Sequence, residues 1–103
     1  MSIKVPPKRC VIADDTRASR ELVARWLRGC EFQCELATNG RQALQLVQAT
    51  PPDLVVTDLE MPELCGLELL KQMRCDKDKR LRELPILVIT SLCDGQTRDI
   101  VKS

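Results

Sequence analysis

Asp53-Leu54-Val55-Val56-Thr57-Asp58 is a short apolar run that ends on a carboxylate, and Cys10-Val11-Ile12-Ala13-Asp14-Asp15 shows the same pattern nearer the start of the chain. Runs this short, without regular polar alternation, fit strands buried on both faces. Thr50-Pro51-Pro52 punctuates the chain before the Asp53 run. A third run, Ile86 to Thr90, follows Pro85, a residue that can open a strand but not sit inside a central one. Between the runs the period changes. Ala18, Leu22, Val23, Trp26 and Leu27 recur at helical spacing from Arg17 to Arg28, and Gly29 supplies the stop. Trp26 is expected to pack in the core or at its edge. Phe32 to Ala37 alternates imperfectly as a strand, and Asn39 with Gln42 offers a capping pair ahead of Ala43, Leu44 and Val47. After the Met61-Pro62-Glu63 turn, Leu67, Leu70 and Met73 or Arg74 mark another helix, whose charged tail to Glu83 is expected to fray into a surface loop.

Short apolar strands alternating with amphipathic helices predict an α/β fold, a doubly wound parallel sheet covered on both faces and joined by right-handed crossovers. In such a sheet the ligand site lies beyond the carboxyl ends of the strands. Those ends carry Asp14, Asp15, Asp58 and Thr90, which are far apart in sequence but brought together by this topology.

Composition narrows the function. The chain has 103 residues, 44% apolar and 30% charged, which is one water-soluble domain. Sixteen Lys and Arg against fifteen Asp and Glu leave a net charge of +1, so no overall basic field holds a nucleic acid. The apolar stretches fall far short of the roughly 20 residues that cross a bilayer. The opening Met1-Ser2-Ile3-Lys4-Val5-Pro6-Pro7 has no secretory character, so the chain is expected in the cytoplasm. The six cysteines form no C-x-x-C pair and several fall inside apolar patterns, where reduced and mostly buried thiols are expected. With no histidine in the chain, imidazole acid-base chemistry, His-containing zinc sites and phosphohistidine relay by this chain are excluded.

Three carboxylates near one point repel one another unless a cation offsets them. Oxygen ligands without histidine or paired thiolates call for a hard ion, Mg2+ first and Ca2+ second. An ionised aspartate can attack phosphorus to give an acyl phosphate when the charge on the phosphoryl oxygens is neutralised. Asp58, alone at the end of a central strand, is the candidate nucleophile, while adjacent Asp14 and Asp15 suit the ion. For a single Asp or an Asp pair, a turn or helix-capping role is the plainer reading. It is the three strand ends together that favour a site.

These residues resemble the receiver domain of two-component response regulators: Val11-Ile12-Ala13-Asp14-Asp15, then Asp58-Leu59-Glu60-Met61-Pro62 followed by Gly66, then Ile86 to Ser91 with Thr90 in the hydroxyl position. The resemblance covers nearly all of residues 9–95 and implies a flavodoxin-like, five-stranded doubly wound fold. It also implies phosphoryl transfer from a sensor histidine kinase or phosphotransfer protein onto Asp58. Asp14, Asp15, Asp58 and the backbone carbonyl of Glu60 would hold Mg2+, and Thr90 would bond a phosphoryl oxygen and pass the change to a downstream protein or output domain. Pro62 fixes a dihedral beside the site, and Gly66 allows a close approach or a positive-φ turn. Arg17, Arg20 and Lys71 read as solvated helix residues.

The resemblance weakens near the end, where receivers carry a lysine at the end of a fifth strand and then a final helix. The expected organisation is a single receiver domain over 1–103, with 1–8 a loose leader and 94–103 truncated or atypical. In the preferred reading, Asp94 to Ser103 is a partial helix without that lysine. In the other, Ile100-Val101-Lys102 is a shortened fifth strand and Lys102 substitutes for it. Either way the final helix is absent, leaving the Ile86 to Ile89 strand with an open edge and the sheet with an uncovered apolar face, so that the isolated chain is expected to be either oligomeric or poorly stable. The expected chemistry is at most Mg2+-dependent self-phosphorylation and slow dephosphorylation. The rivals are a receiver-like interaction module that is not phosphorylated and, less favoured, a Mg2+-dependent phosphohydrolase.

Overall fold

Among the described residues nine elements follow one another: β1 (Lys8–Ala13), α1 (Arg17–Gly29), β2 (Phe32–Ala37), α2 (Gly40–Ala49), β3 (Leu54–Asp58), α3 (Gly66–Arg74), α4 (Lys79–Arg82), β4 (Ile86–Ser91) and β5 (Arg98–Lys102). The computed structural model describes residues 8–59, 61, 63–91 and 98–102, and for residues 90, 91 and 98–102 the backbone alone. The strands form one sheet in the order β2-β1-β3-β4-β5. β1 through β4 pair in parallel, as the alternation of strand and helix requires.

Strand side chains alternate between the two faces, so each apolar run fills two cores. Val11, Ala13, Val55, Ile86 and Val88 join Ala43 and Val47 of α2 and Leu69 and Met73 of α3 in the larger core. Cys10, Ile12, Val56 and Ile89 join Ala24 of α1 in the smaller one. Full burial of each large aliphatic side chain, such as Ile12 or Leu69, is worth about 1.5–3 kcal/mol. This two-sided demand is why the runs lack polar alternation.

α1 forms where expected, but only Ala24 is fully buried. Trp26 is 63% exposed, so of its two expected places, in the core or at its edge, it takes the edge, bordering a shallow apolar recess with Val23, Leu27, Val56, Leu87 and Ile89. At the start of α2, Asn39 Oδ1 accepts from Gln42 N at 2.8 Å, while Gln42 Oε1 accepts from Thr38 N at 2.7 Å. The capping pair is therefore real, and its return bond falls one residue earlier than in the usual box. In α3 the buried seam is Gly66, Leu69 and Met73 rather than Leu67 and Leu70.

The Arg74 to Glu83 tail does not fray. Asp78 Oδ1 accepts from Arg80 N at 2.9 Å and starts α4, whose Leu81 enters the larger core. That backbone bond, then the Arg80 side chain, holds the Asp78 carboxyl below its usual range. Arg74 Nη1 donates to Arg82 O at 2.8 Å and Leu84 O at 2.9 Å, tying α3 to the chain entering β4. One guanidinium thus satisfies carbonyls that a frayed loop would have given to water.

The C-terminal expectations change most. Residues 98–102 form a strand rather than part of a helix, and that strand runs antiparallel to β4, with Leu87 beside Lys102, Ile89 beside Ile100 and Thr90 beside Asp99. β4 therefore has a neighbour on each side, which corrects the open edge expected at Ile86 to Ile89. Among the described residues no helix follows β4. None of the helices there is long and apolar enough to cross a membrane.

Candidate functional site

The strand order reverses between β1 and β3, which neighbour each other at the centre of the sheet although β2 lies between them in sequence. The loops leaving their carboxyl ends therefore diverge, and the crevice between is where this architecture holds ligands. Ala13 and Thr57 are paired in register, so the next residues, Asp14 and Asp58, leave the sheet side by side.

Asp14 extends the ladder by one bond, its N–H donating to Ala37 O at 3.1 Å. Its Oδ1 then accepts from Thr16 N at 2.9 Å, turning the chain into α1. The turn-forming role that composition suggests for an Asp is thus present, and it leaves the carboxylate at the strand end. Asp14 is 1% exposed and Asp58 5%, whereas Asp15 is exposed. One carboxylate oxygen from each of the three lies within 4.8 Å of the others. At that separation each pair of negative charges repels by about 1 kcal/mol in a water-like medium and about 3 kcal/mol at an effective dielectric constant of 20. A hard divalent cation matches three such oxygens in charge and donor type, so the donor set fits Mg2+.

Arg20 corrects its expected place among solvated helix residues. It is half-buried, and its Nη1 donates to the backbone oxygen of Asp14 at 2.8 Å. It brings positive charge to the strand end and fixes the peptide that follows the metal-binding carboxylate. Arg17, by contrast, pairs with Glu21 in solvent at 3.2 Å, and Lys71 is exposed, as expected of both.

Two glycines shape the loop after Asp58. A Cβ on Gly66 would stand 2.2 Å from Asp58 O, so close approach rather than a positive φ is what requires glycine there. Gly66 N donates to Leu59 O at 2.9 Å, folding the loop back onto the strand end. The left-handed residue is Glu63, at φ 67°. Gly40, absent from the sequence expectations, plays a matching part: its Cβ would lie 1.9 Å from Leu64 O, so the start of α2 abuts the same loop. Thr57 was also overlooked, and its buried hydroxyl donates to Asp58 O at 3.0 Å.

The structure thus brings Asp14, Asp15 and Asp58 together and ends β4 one strand away, with Ile89 beside Asp58 and Thr90 next in the chain. The backbone of Thr90 lies in that strand, while its side chain and all of Glu60 fall outside the described residues. The backbone of Lys102 lies away from this end. Beside Leu87 it is three residues back from Thr90, about 10 Å along the strand. The register departs from the expected placement of Lys102 at the carboxyl edge, because a strand running antiparallel delivers its start, not its end, to that edge.

Comparison with known proteins agrees with this geometry. Residues 10–102 match the response regulator receiver domain family. The chain is 45% identical over 85 residues to the response regulator MprA of Mycolicibacterium vanbaalenii and 41% identical over 83 residues to that of Mycobacterium ulcerans. These alignments take in 82% and 81% of this chain but only 35% and 34% of those proteins, so it spans about a third of their length. Among solved structures it is similar to the chemotaxis response regulator CheY4 of Vibrio cholerae, with a TM-score of 0.77 and 27% identity over 85% of this chain and 72% of that one. It is also similar to the signal receiver domain of a signal transduction histidine kinase from Syntrophus aciditrophicus, with a TM-score of 0.77 and 30% identity over 86% and 66% of the two chains.

Proposed function

The chain belongs to the response regulator receiver domain family, and from that premise we propose that it is a single phosphoacceptor domain in which Asp58 takes a phosphoryl group with the help of Mg2+. The observation that carries this reading is the meeting of Asp14, Asp15 and Asp58 within 4.8 Å at the carboxyl ends of the two central strands.

A carboxylate oxygen of Asp58 attacks phosphorus, the bond from phosphorus to the donor breaks, and an acyl phosphate results. Asp14 and Asp15 would hold the cation together with Asp58, and the backbone carbonyl of Glu60 would join them. When bound, Mg2+ supplies the positive charge that offsets the three carboxylates and the phosphoryl oxygens. Arg20 holds the Asp14 peptide in place, and the packing of Gly66 against Asp58 O fixes the acceptor's backbone. Thr90, one residue past the neighbour of Asp58 on β4, bonds a phosphoryl oxygen and reports its arrival. The donor is a sensor histidine kinase or phosphotransfer protein, the reader a downstream protein or output domain, and the setting the cytoplasm. The acyl phosphate then hydrolyses slowly without multiple turnover.

A second reading, a receiver-like interaction module that is not phosphorylated, draws on the register of β5, which takes Lys102 away from the site. Intact mass after incubation with acetyl phosphate and Mg2+ separates the two. One added phosphoryl group that is lost in Asp58→Ala and in EDTA supports the acceptor. No addition, under conditions where a complete receiver reacts, supports the interaction module.

A further inference from the structure

Cys10 and Cys34 sit directly opposite each other on the neighbouring parallel strands β1 and β2. Side chains at paired positions of parallel strands share a face, and both thiols point into the smaller core, where their sulfurs lie 3.3 Å apart. Neighbouring strands are about 4.8 Å apart, which lies within the Cα separation of about 4.4–6.8 Å that a disulfide spans. Joining the sulfurs at about 2.05 Å requires them to close by little more than 1 Å, a change side-chain rotation supplies without separating the strands. The other described cysteines, Cys30, Cys65 and Cys75, stand at helix ends.

We infer that Cys10 and Cys34 form a vicinal dithiol that a peroxide oxidises to a disulfide linking β1 to β2. Exposure sets the order of events. Cys10 is wholly buried and Cys34 half-buried, so Cys34 meets the oxidant first. Its thiolate attacks the peroxide, an S–O bond forms as the O–O bond breaks, and hydroxide leaves to take up a proton as water. The sulfur of Cys10 then attacks the Cys34 sulfenic acid. The S–S bond forms, the S–O bond breaks, and the departing hydroxide takes the Cys10 proton to give a second water. Two thiols are oxidised by two electrons and one peroxide is reduced to two waters. Burial, and then the contact with Cys34, push the Cys10 thiol up to about 12, so by itself it resists oxidants and alkylating agents at neutral pH. Its reaction partner is the neighbouring sulfur, already in place.

The test oxidises the folded 103-residue chain with hydrogen peroxide, blocks remaining thiols in denaturant and digests with trypsin without reduction. The peptide Cys10 to Arg17 is expected linked to the peptide Gly29 to Arg41, two hydrogens lighter than the sum of the first and the Cys30-blocked second, and separable by a reductant. Because the second peptide also contains Cys30, the link must persist in Cys30→Ser and vanish in Cys34→Ser. It must also form at least tenfold faster in the folded chain than in urea. A link that disappears in Cys30→Ser, or Cys10 recovered alkylated while Cys34 is oxidised, overturns the inference. The Cys30→Ser result stands even if replacing Cys10 or Cys34 prevents folding.

Discussion

Replacing Asp58 by Asn is expected to stabilise the metal-free chain, the opposite of what a buried substitution usually does. Asp58 is far from Asp14 and Asp15 in sequence, so folding creates both of its repulsions with them. With oxygens within 4.8 Å, two pairs at about 1 kcal/mol each in a water-like medium give about 2 kcal/mol, and a lower effective dielectric raises the figure. Asn keeps the size and one carbonyl acceptor but removes the charge. For a domain of this length about 2 kcal/mol corresponds to a rise in Tm of about 10 °C. Mg2+ reverses the order of the two proteins. The wild type gains about 2.7 kcal/mol at a hundredfold excess over its dissociation constant, and the variant, short of one charged ligand, gains much less. Urea denaturation of both proteins in EDTA and again in Mg2+ reads all four stabilities. An Asn variant less stable than wild type in EDTA, or one stabilised by Mg2+ as much as wild type, would refute the claim that these carboxylates form one charged site.

Gly66→Ala places a methyl group 2.2 Å from Asp58 O, and the resulting strain should cost about 1–3 kcal/mol by denaturation and slow labelling by acetyl phosphate. Unchanged stability and rate would show that the loop does not depend on this approach. Arg20→Met should lower stability in EDTA by about 1 kcal/mol through loss of the bond to Asp14 O, and a urea midpoint identical to wild type would contradict that role. Asn39→Ala should cost about 1 kcal/mol by uncapping α2, measured in the same way. The Cys10 thiol is raised from 9.0 to about 12, so the unfolded chain ionises there first, and its contribution to stability is present below pH 9 and lost as pH rises toward 12. Stability should therefore fall less steeply over that range in Cys10→Ala, and parallel curves would disprove the assignment.

The strands and the acidic site were legible because each rests on a strong local signal. A continuous apolar run such as Leu54-Val55-Val56 has to be covered on both faces, and two such runs ending in Asp put carboxylates at one edge once the strands are parallel. Arg20 was harder to see, although the sequence held a clue. α1 has no acidic residue in its first turn and carries Arg17 and Arg20 there instead, against the helix dipole. That placement makes sense where the preceding residues are Asp14 and Asp15. Gly40 gave no local signal, because its need for glycine comes from Leu64, a contact made only when α2 and the loop after Asp58 meet. The direction of β5 was equally hidden: Ile100-Val101-Lys102 reads the same for a strand running either way, and only pairing with β4 decides.

That direction divides the molecule by what each part requires. The three carboxylates stand at the carboxyl ends of β1 and β3, at the centre of the sheet, and are held by contacts from α1, α2 and the loop that Gly66 anchors. Among the described residues, none of these contacts involves β5. β4, which carries Thr90, has an outer neighbour that places Asp99 beside Thr90 and Arg98 beside Ser91. A lysine at the end of a parallel strand would offset the charge of a phosphoryl group at this edge, whereas the antiparallel register of β5 brings the start of that strand there. The physical demands of holding Mg2+ are thus met by the half of the sheet that follows the sequence expectations, and the demands of coupling fall on the half that departs from them. Metal binding and phosphorylation can consequently be present in this chain while the response to phosphorylation differs from that of a receiver whose last strand is parallel.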